Sequence, residues 1–174
     1  MQLSAQTDSL INILKEQASD NTKEVSERIE AYNQLTVAYY NIEIKKARVY
    51  CKKSLQLAKA DTLSVGMCNV YINQGLLNFG KGAYNGAIEQ LVAARKIAER
   101  LNQKRLLITV YARLSLIYSV IGYPSKAIRY NIKAIEISEN IGNESDMAMC
   151  YHQIGKTYFA LDEFEKAALY FNKA

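Results

Sequence analysis

The residue types that most often carry catalysis or bind metals are scarce in this sequence of 174 residues. There is one histidine, His152, and there are three cysteines. Cys150 lies two residues before His152, and a helix directs side chains at that spacing to different faces. We therefore expect no Cys–His nucleophile pair, no metal site, no cofactor and no enzymatic activity.

The other two cysteines leave two alternatives open. Cys51 and Cys68 lie on successive predicted helices, where they could form a disulfide or be small buried side chains in a helical stack. Because three cysteines cannot all pair, a mini-protein held together by disulfides is excluded.

The glycine-rich segment 80–86 superficially resembles a phosphate-binding loop. It follows a predicted helix rather than a strand, and it lacks the Gly-Lys-Ser/Thr ending of such loops. We interpret it as the turn between two helices.

Positive charge is concentrated in one predicted helix. Residues 44–60 contain six lysines and arginines and no acidic residue, whereas the net charge of the whole chain is +5. At about 100° per residue, four of these side chains form one stripe: Lys45, Arg48, Lys52 and Lys59. Such a basic stripe could be a solvated face, or could bind an acidic protein, a nucleic acid or an anionic surface.

A repeat of 40 residues organises the elements that must position these side chains. Alanines recur at this interval at Ala47, Ala87, Ala127 and Ala167. Tyrosines precede them at Tyr32, Tyr71, Tyr111 and Tyr151, each followed four residues later by a small residue. Small residues at fixed positions let two helices approach closely, so we predict helical hairpins stacked in an array.

The composition agrees with a folded helical chain. Hydrophobic residues make up 49% and charged residues 22%, which excludes intrinsic disorder, and a single proline favours helices. The longest stretch without a charged residue, 62–80, contains the amides Asn69, Asn73, Gln74 and Asn78, so it is not the run of roughly 20 apolar residues that spans a bilayer.

The repeat resembles the tetratricopeptide repeat (TPR). The third unit carries the motif as Tyr111, Leu114, Ser115, Tyr118, Ala127 and Ala134, and the fourth as Tyr151, Ile154, Gly155, Tyr158, Ala167, Phe171 and Ala174. The first unit has Ser54 in place of the last alanine, and the second has Asn78 where the family has tyrosine. The resemblance implies an all-α, right-handed α-solenoid of helical hairpins. The 40-residue period is longer than the usual 34, and resembles repeats of bacterial sensor kinases, transcription regulators and eukaryotic signalling scaffolds.

The repeat and its flanks predict the domain organisation. Residues 1–6 form an N-terminal tail that resembles a signal-peptide remnant, and residues 7–19 form a capping helix. Four TPR units follow at about 22–60, 61–101, 102–141 and 142–174, the last one truncated, as in a fragment of a longer protein. We expect an extracytoplasmic (periplasmic) part of a membrane sensor, with a cytoplasmic location as the alternative.

The resemblance also implies a binding surface, because the first helix of each unit lines the concave side of the superhelix in this family. Carrying its ligand-facing positions over gives a peptide- or partner-binding groove of Asn33, Val37, Tyr40, Asn69, Ile72, Asn73, Leu76, Phe79, Arg113, Leu116, His152, Lys156 and Phe159. Amides and arginine can bind a peptide backbone or a carboxylate. Only Asn73 and Arg113 match the carboxylate clamp of chaperone-binding relatives, so we do not predict that clamp.

The sequence thus favours a non-enzymatic protein-interaction or ligand-sensing module of a bacterial signalling protein, which binds a peptide or protein segment in its groove. A structural scaffold that self-associates through an uncapped C-terminal end is one alternative. An anionic-surface or nucleic-acid binder acting through the helix Lys45–Lys59 is the other, with nucleic acid the less favoured partner.

Overall fold

The computed structural model describes the backbone of residues 2–174 and the side chains from Thr7 onward. Over this range the chain forms nine α-helices and no strand. The helices are α1 (Gln2–Ser19), α2 (Val25–Tyr40), α3 (Ile44–Ala58), α4 (Val65–Phe79), α5 (Tyr84–Arg100), α6 (Lys104–Val120), α7 (Pro124–Ile141), α8 (Glu144–Phe159) and α9 (Phe164–Asn172). The prediction of an all-α solenoid is confirmed.

The helices pair into four antiparallel hairpins, α2–α3, α4–α5, α6–α7 and α8–α9. Each predicted unit contains one of these hairpins. The repeated alanines are all buried where the two helices of a hairpin meet. Gly75 shows why a small residue is required there, since a Cβ on it would lie 3.0 Å from Leu91 Cγ. Close helix approach through small residues therefore builds the core.

Local side-chain and backbone signals set several of the helix ends. Pro124 is the first residue of α7, where its missing N–H costs little. Asn143 precedes α8, and its side chain accepts a hydrogen bond from Asp146 N at 3.2 Å. The segment 80–86 contains the turn between α4 and α5, and Gly82 adopts a φ of +74° there.

Helix α1 covers the first hairpin but is longer than predicted. It begins at Gln2 rather than at Thr7, so residues 2–6 are helical and not a tail. Ile11, Leu14 and Ala18 are buried in a core cluster shared with α2 and α3. The predicted signal-peptide remnant covers residues 1–6, whose side chains lie outside the part of the chain that the structure describes.

Several large apolar side chains of α8 and α9 are exposed, among them Phe159, Phe164 and Leu169. None of the helices in the described range combines the length and the apolar character needed to cross a membrane.

Candidate functional site

A groove of about 550 Å³ runs along the first helices of the first three hairpins. One wall comes from α1, with Leu10 and Leu14, and the floor comes from α2, α4 and α6. Six of the thirteen predicted groove residues line it: Asn33, Val37, Asn69, Ile72, Asn73 and Arg113. Helix α1 is therefore part of the groove as well as a cap on the array.

Two of the predicted amides are used to join neighbouring hairpins. Asn33 and Asn73 are only 3% and 4% exposed. Asn33 Nδ2 donates to the Gly66 carbonyl oxygen at 3.2 Å, and Asn33 Oδ1 accepts from Ser54 Oγ at 3.0 Å. Asn73 Nδ2 donates to Asn33 Oδ1 at 3.2 Å and to the Asn33 carbonyl oxygen at 3.3 Å. This network fixes the register of the hairpins, because buried polar groups need their partners.

A second bridge holds the rim of the groove. Glu30 on α2 accepts hydrogen bonds from Asn69 Nδ2 at 3.2 Å and from Gln34 Nε2 at 3.0 Å. Asn69 lies on α4, so this carboxylate links the same two hairpins as the Asn33–Asn73 pair. The negative charge of Glu30 is thus engaged by amides of the protein itself.

The groove contains one unpaired cation. Arg113 Nε is buried, and it has no hydrogen-bond partner among the described residues. Burial lowers the pKa of Arg113 from its ordinary value, and the neighbouring Tyr40 acts in the opposite direction. A guanidinium donor that is buried without a partner is costly, and a carboxylate or carbonyl oxygen of a ligand would satisfy it.

Apolar side chains surround this cation. Leu10 and Val37 are 52% and 51% exposed, and both line the groove together with the half-buried Leu106. Exposed apolar residues beside a few polar groups are the composition expected of a binding cleft. The predicted groove set did not include Leu10, Leu14, Leu106 or Thr109, although Thr109 stands at a ligand-facing position of the family motif.

The other predicted groove residues lie outside this groove. Two of them pack on aromatic side chains instead, Phe79 on Tyr84 and Phe159 on Phe164, at ring-centroid distances of 5.8 and 5.5 Å. Leu116 and Lys156 are exposed, Leu76 is half-buried, and Tyr40 lies against Gly80. The His152 ring packs on Phe171 at 5.3 Å.

The basic side chains of the predicted basic helix differ in whether they form an ion pair. Lys46 is paired with Glu43 at 2.7 Å, and this hydrogen bond raises the pKa of Lys46. The predicted stripe of Lys45, Arg48, Lys52 and Lys59 is exposed. Arg48 and Lys52 line a separate cleft on α3, whereas Lys45 and Lys59 do not.

The cysteines are buried free thiols. Cys51 and Cys68 do not pair, and burial raises the pKa of Cys51, Cys68 and Cys150 to about 11. Thiols with raised pKa values are poor nucleophiles at neutral pH. Among the side chains from Thr7 onward, no three His, Cys, Asp or Glu groups are arranged to hold a metal ion.

Comparison with known sequences gives no relative. No protein-family model matches the chain, and no curated protein is similar to it at a significant level.

Comparison with solved structures shows the fold. The chain is similar to aspartyl phosphate phosphatase F from Bacillus subtilis, with a TM-score of 0.82 and 18% identity over 98% of this chain and 47% of that one. It is similar to a signal transduction ATPase with a tetratricopeptide repeat sensor from Pyrococcus horikoshii, with a TM-score of 0.76 and 23% identity over 92% of this chain and 25% of that one. A kinesin light chain with TPR-like repeats from Podosopora anserina matches with a TM-score of 0.69 and 14% identity over 99% of this chain and 87% of that one.

These matches confirm the resemblance to the tetratricopeptide repeat at the level of fold. The chain spans about half of the phosphatase and a quarter of the ATPase.

Proposed function

We propose that this solenoid of tetratricopeptide-repeat type is a non-enzymatic module that binds a segment of a protein partner in the groove of α1, α2, α4 and α6. The observation that carries the proposal is the buried, unpaired Arg113 Nε between exposed apolar side chains. An unsatisfied buried donor costs stability, and a ligand oxygen that accepts from Arg113 Nε would remove that cost.

The groove favours one kind of segment. The apolar side chains of Leu10, Val37 and Leu106 suit one or two apolar residues of the ligand. A carboxylate two or three residues away, from a side chain or a C-terminus, would accept from Arg113. Asn73 Oδ1 makes no hydrogen bond to the described residues and can accept from a ligand backbone N–H.

The surroundings of the groove support a sensing role in bacterial signalling. The groove spans the first three hairpins, so a bound segment would bridge them and restrict their relative movement. Two similar structures are a bacterial aspartyl phosphate phosphatase and an ATPase with a tetratricopeptide repeat sensor. We propose that binding is passed on to the output domain of a membrane sensor, and that the groove lies outside the cytoplasm, with a cytoplasmic location as the alternative.

The test is selection of binding peptides from a random library displayed on phage, followed by measurement of Kd for the enriched peptides. Val37→Glu is expected to weaken them at least tenfold, because it places a carboxylate in the apolar part of the groove. Val49→Glu is the matched control, since Val49 is 52% exposed, on α3, and does not line the groove.

Two results would contradict the proposal. One is that no peptide enriches over a non-binding control protein. The other is that Val37→Glu and Val49→Glu leave the affinity of the enriched peptides equal, which would place their site elsewhere.

Self-association is a second candidate function, supported by the exposed apolar side chains of Phe159, Phe164 and Leu169. Phe159 and Phe164 are in contact, with ring centroids 5.5 Å apart, and adjacent exposed apolar side chains are typical of protein interfaces. Sedimentation equilibrium over a concentration series separates the two functions, because self-association makes the average mass rise with concentration while peptide binding leaves it unchanged.

A further inference from the structure

Three of the four hairpins carry the same cluster of tyrosines on their outer side. In each, a tyrosine of the second helix packs between two tyrosines of the first, and we call this cluster the tyrosine triad. The triads are Tyr32–Tyr50–Tyr39, Tyr111–Tyr130–Tyr118 and Tyr151–Tyr170–Tyr158, with ring centroids 5.4–6.2 Å apart. The three tyrosines recur at the repeat interval, so each triad is part of the regular packing of its hairpin.

Lysines of the second helix cover these triads. The covering lysines are Lys46 and Lys53, Lys126 and Lys133, and Lys166 and Lys173. Each ammonium lies 5.1–5.7 Å from the centroid of a triad ring. This is the distance of a cation–π contact, so the rings occupy the outer side and the lysines cover it.

The second hairpin lacks both parts of this arrangement. Asn78 and Gln90 stand where the other units have triad tyrosines, and Gly86 and Ala93 stand where they have the covering lysines. Only Tyr71 remains. Asn78 Nδ2 lies 3.2 Å from the position that a Cβ on Gly86 would take, so the amide occupies part of the space left by the missing side chain.

The missing side chains leave a cleft of about 340 Å³ between α3 and α5, with α4 as its floor. Six polar side chains line it: Arg48, Lys52, Gln74, Asn78, Lys81 and Gln90. Forty residues further on, between α5 and α7, the equivalent positions hold Ile88, Val92, Leu114, Tyr118, Ile121 and Tyr130. The six side chains that are polar in this cleft therefore have apolar or aromatic counterparts in the next inter-hairpin space.

The charge of the cleft is unbalanced. It has three cations and three neutral amides, and no carboxylate lines it. Arg48, Lys52 and Lys81 form no ion pair with any described residue, whereas Lys46 and Lys166 on the neighbouring surfaces pair with Glu43 and Glu163. Like charges gathered in one cleft repel each other, and a bound anion would remove that repulsion.

We propose that this cleft binds the phosphate group of a small phosphate monoester. Arg48, Lys52 and Lys81 surround the phosphate, whose charge of about −1.5 to −2 near neutral pH needs more than one cation. Gln74, Asn78 and Gln90 hydrogen-bond the polar body of the ligand, since each amide both donates and accepts.

The volume and the position of the cleft agree with a small ligand. A volume of about 340 Å³ is at the lower end of the range found for small-molecule sites. The site is independent of the peptide groove, because the cleft uses Gln74 and Asn78 of α4 while the groove uses Asn69 and Asn73 on another face of that helix. Either site can fail its test without affecting the other.

The test is titration of the intact chain at low salt with two probes, inorganic phosphate and adenosine monophosphate, followed by calorimetry and by the side-chain amide NMR signals of Asn78 and Gln90. Arg48→Gln, Lys52→Gln and Lys81→Gln are each expected to weaken binding about tenfold, as expected when one charge-assisted hydrogen bond is lost. Lys45→Gln and Lys59→Gln are the matched controls, because both lysines are exposed at the ends of the same basic segment and lie outside the cleft.

A double variant, Asn78→Tyr with Gln90→Tyr, restores the triad of the other units and is expected to abolish binding. If this double variant does not fold, the variants Arg48→Gln, Lys52→Gln and Lys81→Gln still decide the question, because they change exposed side chains.

Three outcomes would overturn the proposal. The first is that neither probe binds, whether or not vesicles containing phosphatidic acid do. The second is that Lys45→Gln weakens binding as much as Arg48→Gln, which would indicate the general field of the basic helix. The third is equal affinities for phosphate and adenosine monophosphate with unmoved amide signals, which would refute the contacts proposed for Gln74, Asn78 and Gln90.

Discussion

Replacing Arg113 by methionine should stabilise the free protein and weaken its binding of a peptide. The side chain lies on α6 with a buried Nε that has no partner among the described residues. Methionine keeps an apolar, unbranched side chain of similar reach and removes the donor. The two effects should have opposite signs if, as proposed, the guanidinium binds a ligand and does not stabilise the fold.

The structure sets the size of each effect. A buried donor without a partner costs about 1–3 kcal/mol. Since methionine loses some of the packing of the guanidinium, we expect the free energy of unfolding to rise by about 1 kcal/mol. In a chain of this length such a change raises Tm by about 2–4 °C. Loss of a charge-assisted hydrogen bond to the ligand should weaken a selected peptide roughly tenfold or more.

Urea unfolding, followed by circular dichroism, measures the first effect, and titration with a peptide from the selection measures the second. Arg105→Met is the matched control, because Arg105 lies on the same helix, is exposed and does not line the groove. It should change the free energy of unfolding by less than about 0.5 kcal/mol and leave the peptide Kd unaltered.

A loss of more than about 1 kcal/mol in Arg113→Met would refute the reasoning, since the guanidinium would then contribute to the fold itself. Unchanged peptide affinity would refute it too, because the donor would then not contact the ligand.

Two further predictions concern the packing and the thiols. Gly75→Ala should lower the free energy of unfolding by about 1–3 kcal/mol, because its Cβ would lie 3.0 Å from Leu91 Cγ and 3.3 Å from the Ala87 carbonyl oxygen. The control is Gly86→Ala, whose Cβ would meet only the Asn78 amide. In the same urea titration this control should be neutral or stabilising. Burial raises the pKa of the three cysteines from 9.0 to about 11, so the native state holds protons that the unfolded chain releases, and stability should fall as the pH rises from about 9 to about 11. Urea midpoints at pH 8 and pH 10.5 should therefore differ more in the wild type than in a Cys51→Ala, Cys68→Ala, Cys150→Ala variant, and an equal difference would contradict this.

Much of the fold could be predicted because it depends on contacts that are local in the chain. Ala47 and its three repeats, with a small residue four positions after each repeated tyrosine, specify where the helices of a hairpin meet. Pro124 and Asn143 set helix ends through their own backbone and side chain. The start of α1 was predicted five residues late, because residues 2–6 carry no apolar periodicity that would mark them as helical.

The candidate site was predicted only in part. Among the family positions, Val37, Ile72 and Arg113 line the groove, whereas Phe79 and Phe159 pack on residues just beyond their own turns. Asn33 and Asn73 line the groove, yet most of their hydrogen bonds join hairpins. A motif position gives the face of a helix, whereas the partner of a polar side chain on that face depends on the neighbouring hairpin.

The sequence by itself determined the period, the hairpins and the composition of every inter-hairpin space, because these follow from residue types at a fixed spacing. The tertiary structure alone decided that α1 forms a wall of the groove, that Arg113 Nε is buried without a partner, and that Arg48, Lys52 and Lys81 share one cleft. The physical reason is that helix-to-helix stacking sets the distance between residues far apart in the chain. This distance decides whether a side chain is buried and whether a charged group has a partner within reach.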